Sequence, residues 1–521
     1  MSHLSTFLFR TLHQHWMSIG LAVSIGLIVI APQLVFIAQS GEVYQGIYML
    51  KTDAEPHYLA RMQNALKGNG TSNPFAVEFR DNVPTGFFSY AEEVLILPAR
   101  VLPVSIPTLN LIYKFLLPVI LALLIYALVV RLTASRSWGF VAMVAVVLGS
   151  TTFNVGTLAH LFQWDLFYQQ FLLLARPVSP IISLIFFAGY LHIALTAHRS
   201  RNFAWYLLLG MLAGLAWYFY LYLALLIVAL EVSYTVLAVW YKDLIAAIRH
   251  LIVLALSVIV GAWGIWSIAS ITLHPYYEFF IGPIGLQSTR APYIHDVWLV
   301  VVGLFITYVF YNRTFKHTIF LGGLLVASFV VANQQVLTGL SLHPGHFLTY
   351  FCLPIYIVVL IVLAANYFVG VRARQGLLLQ IALVAYVSIA AAYIQYSSYV
   401  EWAPKVLEEQ RYALVLAWLD KAEEEEAVVM AHQSLSEFIP AYTRHAVMWE
   451  EHANSYLMQK ERWDFTPENA LRSENFCSFV KQFRLDYIVW DTEKDPSWRI
   501  DTKPCAQLIT SINDFSIYAL P

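Results

Sequence analysis

The fold is decided at Lys51-Thr52-Asp53-Ala54-Glu55-Pro56-His57-Tyr58-Leu59-Ala60-Arg61, which directly follows the first strongly apolar segment of this 521-residue chain. The stretch places two carboxylates, a histidine and an arginine at the edge of a membrane. Thr52 and Glu55 fit a helix capping box, with Thr52 as the N-cap and Glu55 three residues later. Pro56 is tolerated in a first turn, because its missing N–H is not used there. The stretch therefore predicts the start of a helix, which we expect to end at Gly68.

This predicted helix has two distinct faces. At helical spacing, Leu59, Met62 and Leu66 share an apolar face. Asp53, His57 and Arg61 share a polar face. Such a pattern predicts an amphipathic helix lying on the membrane surface, with Asp53 at its start. A second interfacial helix is predicted from Tyr90 to Arg100.

Composition indicates an integral membrane protein. The chain is 59% hydrophobic and 12% charged, and its mean hydropathy is +0.62. A soluble domain carries about 25% charged residues. The net charge of -2 argues against nucleic acid as a partner, since nucleic-acid binding needs a basic surface.

Long apolar segments predict a mostly α-helical, polytopic membrane domain over residues 1–396. The first extracytoplasmic loop covers 39–108. We read the first apolar segment as a transmembrane helix, because it is too long for the core of a signal peptide. About eleven spans are predicted, several of them short: 16–38, 109–130, 138–155, 178–197, 203–218, 219–240, 251–272, 295–311, 318–337, 346–369 and 377–396.

The distribution of Lys and Arg in the short loops predicts the orientation of the chain. Loops on one side of the predicted spans carry most of these residues, including Arg131, Arg199 and Arg313. The opposite loops carry little beyond Arg176 and Arg290. We therefore expect a cytoplasmic N-terminus, an extracytoplasmic tail and a location in the plasma membrane or bacterial inner membrane.

The tail, 397–521, differs in character from the rest of the chain. It opens with a predicted amphipathic helix from Pro404 to Ala422, and apolar strand candidates alternate with helical stretches after it. This alternation predicts a small extracytoplasmic α/β domain. Cys477 and Cys505 would be able to form a disulfide if the tail faces an oxidising compartment.

A first span followed by a long outward loop with an early acidic pair and two interfacial helices resembles the GT-C superfamily of membrane glycosyltransferases. Protein O-mannosyltransferases and oligosaccharyltransferases are examples. The resemblance implies an inverting enzyme that transfers a sugar from a polyprenyl-phosphate donor to an extracytoplasmic lipid, glycan or protein. It also implies that Asp53 and Glu55, as first-loop carboxylates, are catalytic or bind a divalent metal such as Mg²⁺ or Mn²⁺. The sequence departs from mannosyltransferase-like members, which have adjacent Asp-Glu, because Ala54 intervenes.

Glycosyl transfer needs a base for the acceptor hydroxyl and positive charge for the departing phosphate. Asp53 is the candidate base, and Glu55 would assist it or hold a metal through oxygen ligands. The alternative is that both carboxylates only start a helix, where the helix dipole favours them. His57 is a candidate for substrate contact.

Other outward loops offer candidate cations and polar groups. Arg176 and Arg290 are candidates for the donor phosphate, since the forked donors of Arg suit it, although either would also serve as an interfacial anchor. For each of the remaining candidates, the alternative is an ordinary structural role in its loop. These candidates are the phosphate ligands His343 and His346, the sugar ligands Asn333 and Gln334, and the outward residues His160 and Asp165.

Three rival functions remain open from the sequence. One is O-antigen ligase or polymerase chemistry, although those proteins usually have their large outward loop late in the chain, whereas here it comes first. A transporter or lipid flippase would be expected to carry ionisable residues within its spans and inverted repeats. Glu231 is the main such residue, and we find no repeat. A non-catalytic member of the same superfamily would use the tail for binding and tolerate substitution of both carboxylates.

Overall fold

A computed structural model describes the chain in ten segments. They are 2–70, 72–75, 90–153, 171–200, 202–281, 286–369, 372–422, 425–450, 466–473 and 475–521.

The chain divides into two compact units. The first, called here the bundle unit, comprises Met1–Leu34, Leu111–Ala262 and Ser288–Glu401. The second, called here the loop–tail unit, comprises Val35–Asn110, Trp263–Gln287 and Trp402–Pro521. The tail thus belongs to one compact unit with the segment that carries Asp53.

Apolar helices dominate the described part of the chain. Seven of them are long and apolar enough to cross a membrane, and four shorter apolar helices accompany them. Each of the eleven predicted spans overlaps one of these helices, so the chain is an integral membrane protein, mostly α-helical and polytopic, as predicted. The larger helices, numbered in chain order, are α1 Ser2–Ser40, α2 Glu55–Leu66, α3 Tyr90–Val101, α4 Ile106–Thr133, α5 Arg136–Val147, α6 Ile182–Ser200, α7 Phe203–Phe219, α8 Leu221–Trp240, α9 Leu244–Ile271, α10 Asp296–Tyr311, α11 Thr318–Ala332, α12 Leu353–Tyr367, α13 Ala373–Glu409 and α14 Ala413–Ala422.

Small residues let α7 and α9 approach closely in the bundle unit. A Cβ at Gly214 would collide with the side chain of Val260, and one at Gly261 would collide with the ring of Trp217. Close backbone approach of this kind stabilises helix pairs in lipid through van der Waals contact. The two glycines therefore fix where these helices cross.

A buried polar network joins α6, α8 and α9. Glu231 Oε1 accepts a hydrogen bond from the Tyr190 hydroxyl at 2.6 Å, and Glu231 Oε2 lies 2.7 Å from His250 Nδ1. The carboxyl group is completely buried. Each of its oxygens has a partner, as a buried polar group requires in an apolar bundle. This intramembrane carboxyl group thus links three helices.

The tail contains the predicted α/β fold. Its five strands are β1 Val428–Ala431, β2 Ala446–Val447, β3 Tyr487–Asp491, β4 Gln507–Ile512 and β5 Phe515–Ala519. They form one sheet in the order β2-β1-β3-β5-β4, in which β1 is parallel to β2 and β3, and β5 is antiparallel to β3 and β4. Sequence patterns indicated β1, β3 and β5. They did not indicate β2, which has two residues, or β4, whose side chains are largely exposed.

One disulfide crosses the edge of the tail core. Cys477 and Cys505 are bonded, with their Cα atoms 5.8 Å apart. Both pack against a buried cluster that includes Phe476, Ile488 and Trp498. Cys352 is a free, buried thiol in the bundle unit.

Two local sequence predictions are wrong. The helix predicted to start at Pro404 has no start there, because α13 continues through Pro404 to Glu409. The apolar face of α2 is buried in protein rather than laid on a membrane: Leu59 and Met62 are completely buried, and the helix packs against α3 and the short helix Ile439–Tyr442. The amphipathic pattern alone does not distinguish burial against protein from burial against lipid.

Candidate functional site

Glu55 is locked into the start of α2. Its Oε1 accepts a hydrogen bond from Asn110 Nδ2 at 2.7 Å, and its Oε2 accepts one from the Thr52 N–H at 3.2 Å. The residue has no exposed surface. Only half of the predicted capping box is present, because the helix begins at Glu55 with Ala54 as its N-cap, and the buried Thr52 hydroxyl has no hydrogen-bond partner among the described residues. Glu55 therefore holds the turn together from inside.

Asp53 lies on the outside of the same turn. It is exposed, and its φ of +48° places it in the left-handed region. Asp tolerates this region better than most residues with a side chain, yet a non-glycine residue held there costs some free energy. The turn therefore presents an exposed carboxylate directly before α2.

Residues of the tail hold the segment that leads into this turn. Gln410 Oε1 accepts hydrogen bonds from the N–H groups of Gln45 and Ile47, and Gln410 Nε2 donates to Ile47 O at 2.8 Å. Lys51 Nζ lies 2.7 Å from Glu409 Oε1 in a largely buried ion pair. The sequence does not show these contacts, because they join residues more than 350 positions apart. They hold the backbone at Gln45 and Ile47, and the side chain of Lys51, two residues before Asp53.

The polar face predicted for α2 is used inside the protein. His57 is buried and stacks on Phe75, with ring centroids 5.4 Å apart. Arg61 Nε lies 2.7 Å from Glu92 Oε1, which joins α2 to α3. Burial raises the pKa of the Glu92 carboxyl group above its usual range, and Arg61 opposes this shift. His57 and Arg61 thus support the position of α2.

A second group of predicted residues meets in the bundle unit. Arg176 is buried, its Nη2 donates to the Tyr350 hydroxyl at 3.1 Å, and its Nε donates to Ser179 O. The ring of His346 stacks on Tyr350 at 4.9 Å, and the rings of His343 and His346 are 4.9 Å apart. Arg176, His343 and His346 therefore form one group of cationic and imidazole side chains, called here the Arg176 cluster.

Tyrosine side chains contact His346 of the Arg176 cluster. His346 Nδ1 lies 3.0 Å from the Tyr220 hydroxyl, and its ring is 4.7 Å from the ring of Tyr222. The run of aromatic residues at 217–222 contained the signal, but periodicity alone could not show which rings turn inward.

Arg290, Asn333 and Gln334 organise a loop of the bundle unit. Arg290 Nη1 donates to the carbonyls of Val336 and Leu337 at 2.9 and 3.1 Å. Asn333 Oδ1 accepts from the Tyr293 N–H, and Gln334 Nε2 donates to Leu340 O. These contacts give all three residues a role in shaping the loop.

The candidate residues are thus divided between the units. Asp53, Glu55 and His57 belong to the loop–tail unit, and the phosphate and sugar candidates belong to the bundle unit. His160 and Asp165 lie outside the described residues.

The proposed metal ligands do not fit a metal site. Both oxygens of Glu55 accept hydrogen bonds from neutral donors, which compete with a cation for this buried carboxylate. Among the described residues, no group of three or more His, Cys, Asp or Glu is placed to hold a metal. Divalent ions need several oxygen ligands, so no step of the reaction is assigned to a metal here.

The chain is similar to several solved structures. The crystal structure of ArnT from Cupriavidus metallidurans bound to undecaprenyl phosphate matches over 93% of this chain and 97% of that chain, with a TM-score of 0.49 and 12% identity. Its apo state matches with a TM-score of 0.48, 13% identity and the same coverage. No protein-family model and no curated protein matches. Similarity of this extent assigns no function, so the function rests on the chain's own residues.

Proposed function

We propose that this protein is a membrane glycosyltransferase. It transfers a sugar from a polyprenyl-phosphate donor to an acceptor at the extracytoplasmic side of the membrane. The Arg176 cluster binds the donor phosphate, and Asp53 accepts the proton of the acceptor hydroxyl. The observation that carries this proposal is the Arg176 cluster, where Arg176 meets the sequence-distant pair His343 and His346 at the ends of spanning helices.

The position of the Arg176 cluster suits a lipid phosphate. Arg176 directly precedes the span Pro177–Ser200, and His343 directly precedes the span Pro344–Tyr367. A phosphate on a prenyl chain lies at this level, with its tail in the bilayer. Arg offers forked donors to phosphate oxygens, and a charge at membrane depth usually serves a functional pathway.

The local backbone around the Arg176 cluster is irregular. Residues Pro177–Ile181 and Leu348–Cys352 form π-helical turns, one beside Arg176 and one containing Tyr350. Such turns interrupt regular helical hydrogen bonding and are frequent at functional sites. Arg176 and Tyr350, which are joined by a hydrogen bond, both lie at these turns.

Asp53 has the properties of the base. Its carboxylate is exposed, whereas the Glu55 carboxylate is fully buried and hydrogen-bonded. A base must reach the proton that it removes. Positive charge at the departing phosphate stabilises the transition state, and Arg176 supplies it.

Binding of undecaprenyl phosphate to the purified full-length protein tests the donor site. We expect Arg176→Gln to weaken binding about tenfold or more, because a charge-assisted hydrogen bond contributes about 1.5–3 kcal/mol. Arg290→Gln is the matched control, since Arg290 donates to loop carbonyls, and it should bind within about twofold of the wild type. Equal losses in both variants would refute the assignment of the phosphate to Arg176.

A further inference from the structure

An apolar groove lies within the bundle unit, apart from the Arg176 cluster. It has a volume of about 800 Å³ and runs between α5, α10, α12 and α13. Leu, Ile and aromatic side chains form most of its wall, and none of the proposed catalytic or phosphate-binding residues lines it. Its volume lies within the range of about 300–1,000 Å³ that ligand pockets occupy.

One end of the groove is polar, aromatic and open. Tyr311 and Tyr367 are the last residues of α10 and α12, and they are 75% and 43% exposed. Arg372 directly precedes α13, and its guanidinium carbon lies 4.3 Å from the centroid of the Tyr367 ring. The remainder of the wall carries no charged side chain and is apolar apart from Thr307, Tyr308 and Tyr356. A positive charge beside exposed tyrosine rings is what the headgroup level of a bilayer requires.

The length of the groove suits a single alkyl chain. Its lining follows α12 from Leu353 to Tyr367, and the rise of an α-helix makes this distance about 21 Å. The hydrocarbon core of a bilayer is about 30 Å thick, so the groove extends past the middle of the membrane. A polyprenyl tail is much longer than this, whereas one acyl chain fills the distance.

We propose that the groove binds one anionic phospholipid of the bilayer. Its acyl chain lies along α12, and its headgroup phosphate lies at Arg372, held by charge and by the forked donors of the guanidinium group. Arg372 follows the C-terminal end of α12, whereas His343 precedes the span of which α12 is the C-terminal part. The phospholipid site is therefore separate from the proposed donor site and does not depend on it.

Native mass spectrometry of the purified full-length protein tests this site. The probes are phosphatidylglycerol and phosphatidylcholine with identical chains. A basic residue near a membrane surface contributes about 1 kcal/mol to the binding of anionic lipid, which is about fivefold in affinity. We expect Arg372→Ala to lose about that factor for phosphatidylglycerol only. Arg374→Ala, an exposed arginine two residues away, is the control and should leave both affinities unchanged.

Filling the groove tests the position of the chain. Ala364 lines the groove, and Ala364→Phe should reduce retention of both lipids at least tenfold. Leu304→Phe, on the facing helix, is a second filling variant in case the first unfolds. Leu378→Phe is the control, because Leu378 is 60% exposed on α13 and does not line the groove.

Three results would overturn the proposal. They are unchanged lipid retention in a folded filling variant, equal effects of Arg372→Ala and Arg374→Ala, and displacement of phosphatidylglycerol by an equal concentration of undecaprenyl phosphate. The last result would assign the groove to the prenyl lipid instead.

Discussion

Two carboxylates two residues apart have opposite environments. Glu55 is buried beneath the turn, and both of its oxygens accept hydrogen bonds. Asp53 is exposed in the same turn, and its own backbone has the left-handed conformation. A sequence shows that both are acidic and close to a membrane, but it does not show which one faces water. That difference depends on Asn110, which is distant in sequence and donates to Glu55.

Glu55→Gln should destabilise the protein. Glu55 accepts from two donors, and a glutamine offers one acceptor oxygen and places an NH₂ group against the other donor. A buried donor without a partner costs about 1–3 kcal/mol, so we expect a lower thermal unfolding midpoint in detergent. Glu42→Gln is the control, because Glu42 is exposed, and it should unfold like the wild type. A wild-type midpoint in Glu55→Gln would show that these hydrogen bonds do not hold the turn.

The positions of the helices were easier to predict than the residues that pack against them. All eleven apolar segments overlap helices, because a continuous apolar run of this length has few other stable forms in a membrane. The packing partners of amphipathic elements were harder to predict. One example is α2, which buries its apolar face against protein, and another is Gln410, which holds the segment before Asp53. Periodicity reports which residues share a face, and it carries no information about what covers that face.

The turn after β3 contains a pH-sensitive carboxyl group. Burial and the neighbouring Asp491 and Glu468 raise the pKa of Asp495 to about 7, and Lys494 opposes this shift. His432 also faces it, with Nε2 3.9 Å from Asp495 Oδ1, and burial lowers the pKa of this imidazole. An unfolded Asp titrates near pH 4, so the folded state binds the proton more tightly between about pH 4 and 7. The contribution of Asp495 to stability therefore falls as pH rises through this window.

Asp495→Asn should remove that part of the pH dependence. We expect the variant to unfold at a higher temperature than the wild type at pH 8 and at a similar temperature at pH 4.5. Asp514→Asn is the control, because Asp514 is exposed on the turn between β4 and β5. If the unfolding temperatures of the wild type and Asp495→Asn changed with pH in the same way, this account would be contradicted.

At the scale of the whole molecule, the orientation in the membrane remains a prediction from loop charges. Arg313 and Lys316 mark a loop expected in the cytoplasm, and the tail is expected outside. A membrane-impermeant maleimide should therefore label Asp514→Cys in intact cells and label Thr314→Cys only after lysis. Both positions are exposed. The reverse labelling pattern would place Asp53 and the tail on the cytoplasmic side.

The proposed roles separate donor binding from base catalysis. The bundle unit has the Arg176 cluster for the donor phosphate, and the loop–tail unit has the exposed Asp53 for the acceptor. Removing the base should therefore impair the chemical step and leave donor binding intact. Removing Arg176 should first impair donor binding.

Sugar transfer by Asp53→Asn protein, reconstituted with a polyprenyl-phosphate-linked sugar donor, tests the central claim most directly. Asn keeps the shape of the side chain and tolerates the left-handed backbone, so folding and undecaprenyl phosphate binding should match the wild type. Loss of a general base predicts a fall in turnover of about 10²- to 10⁴-fold. Turnover equal to that of the wild type would contradict the assignment of Asp53 as the base.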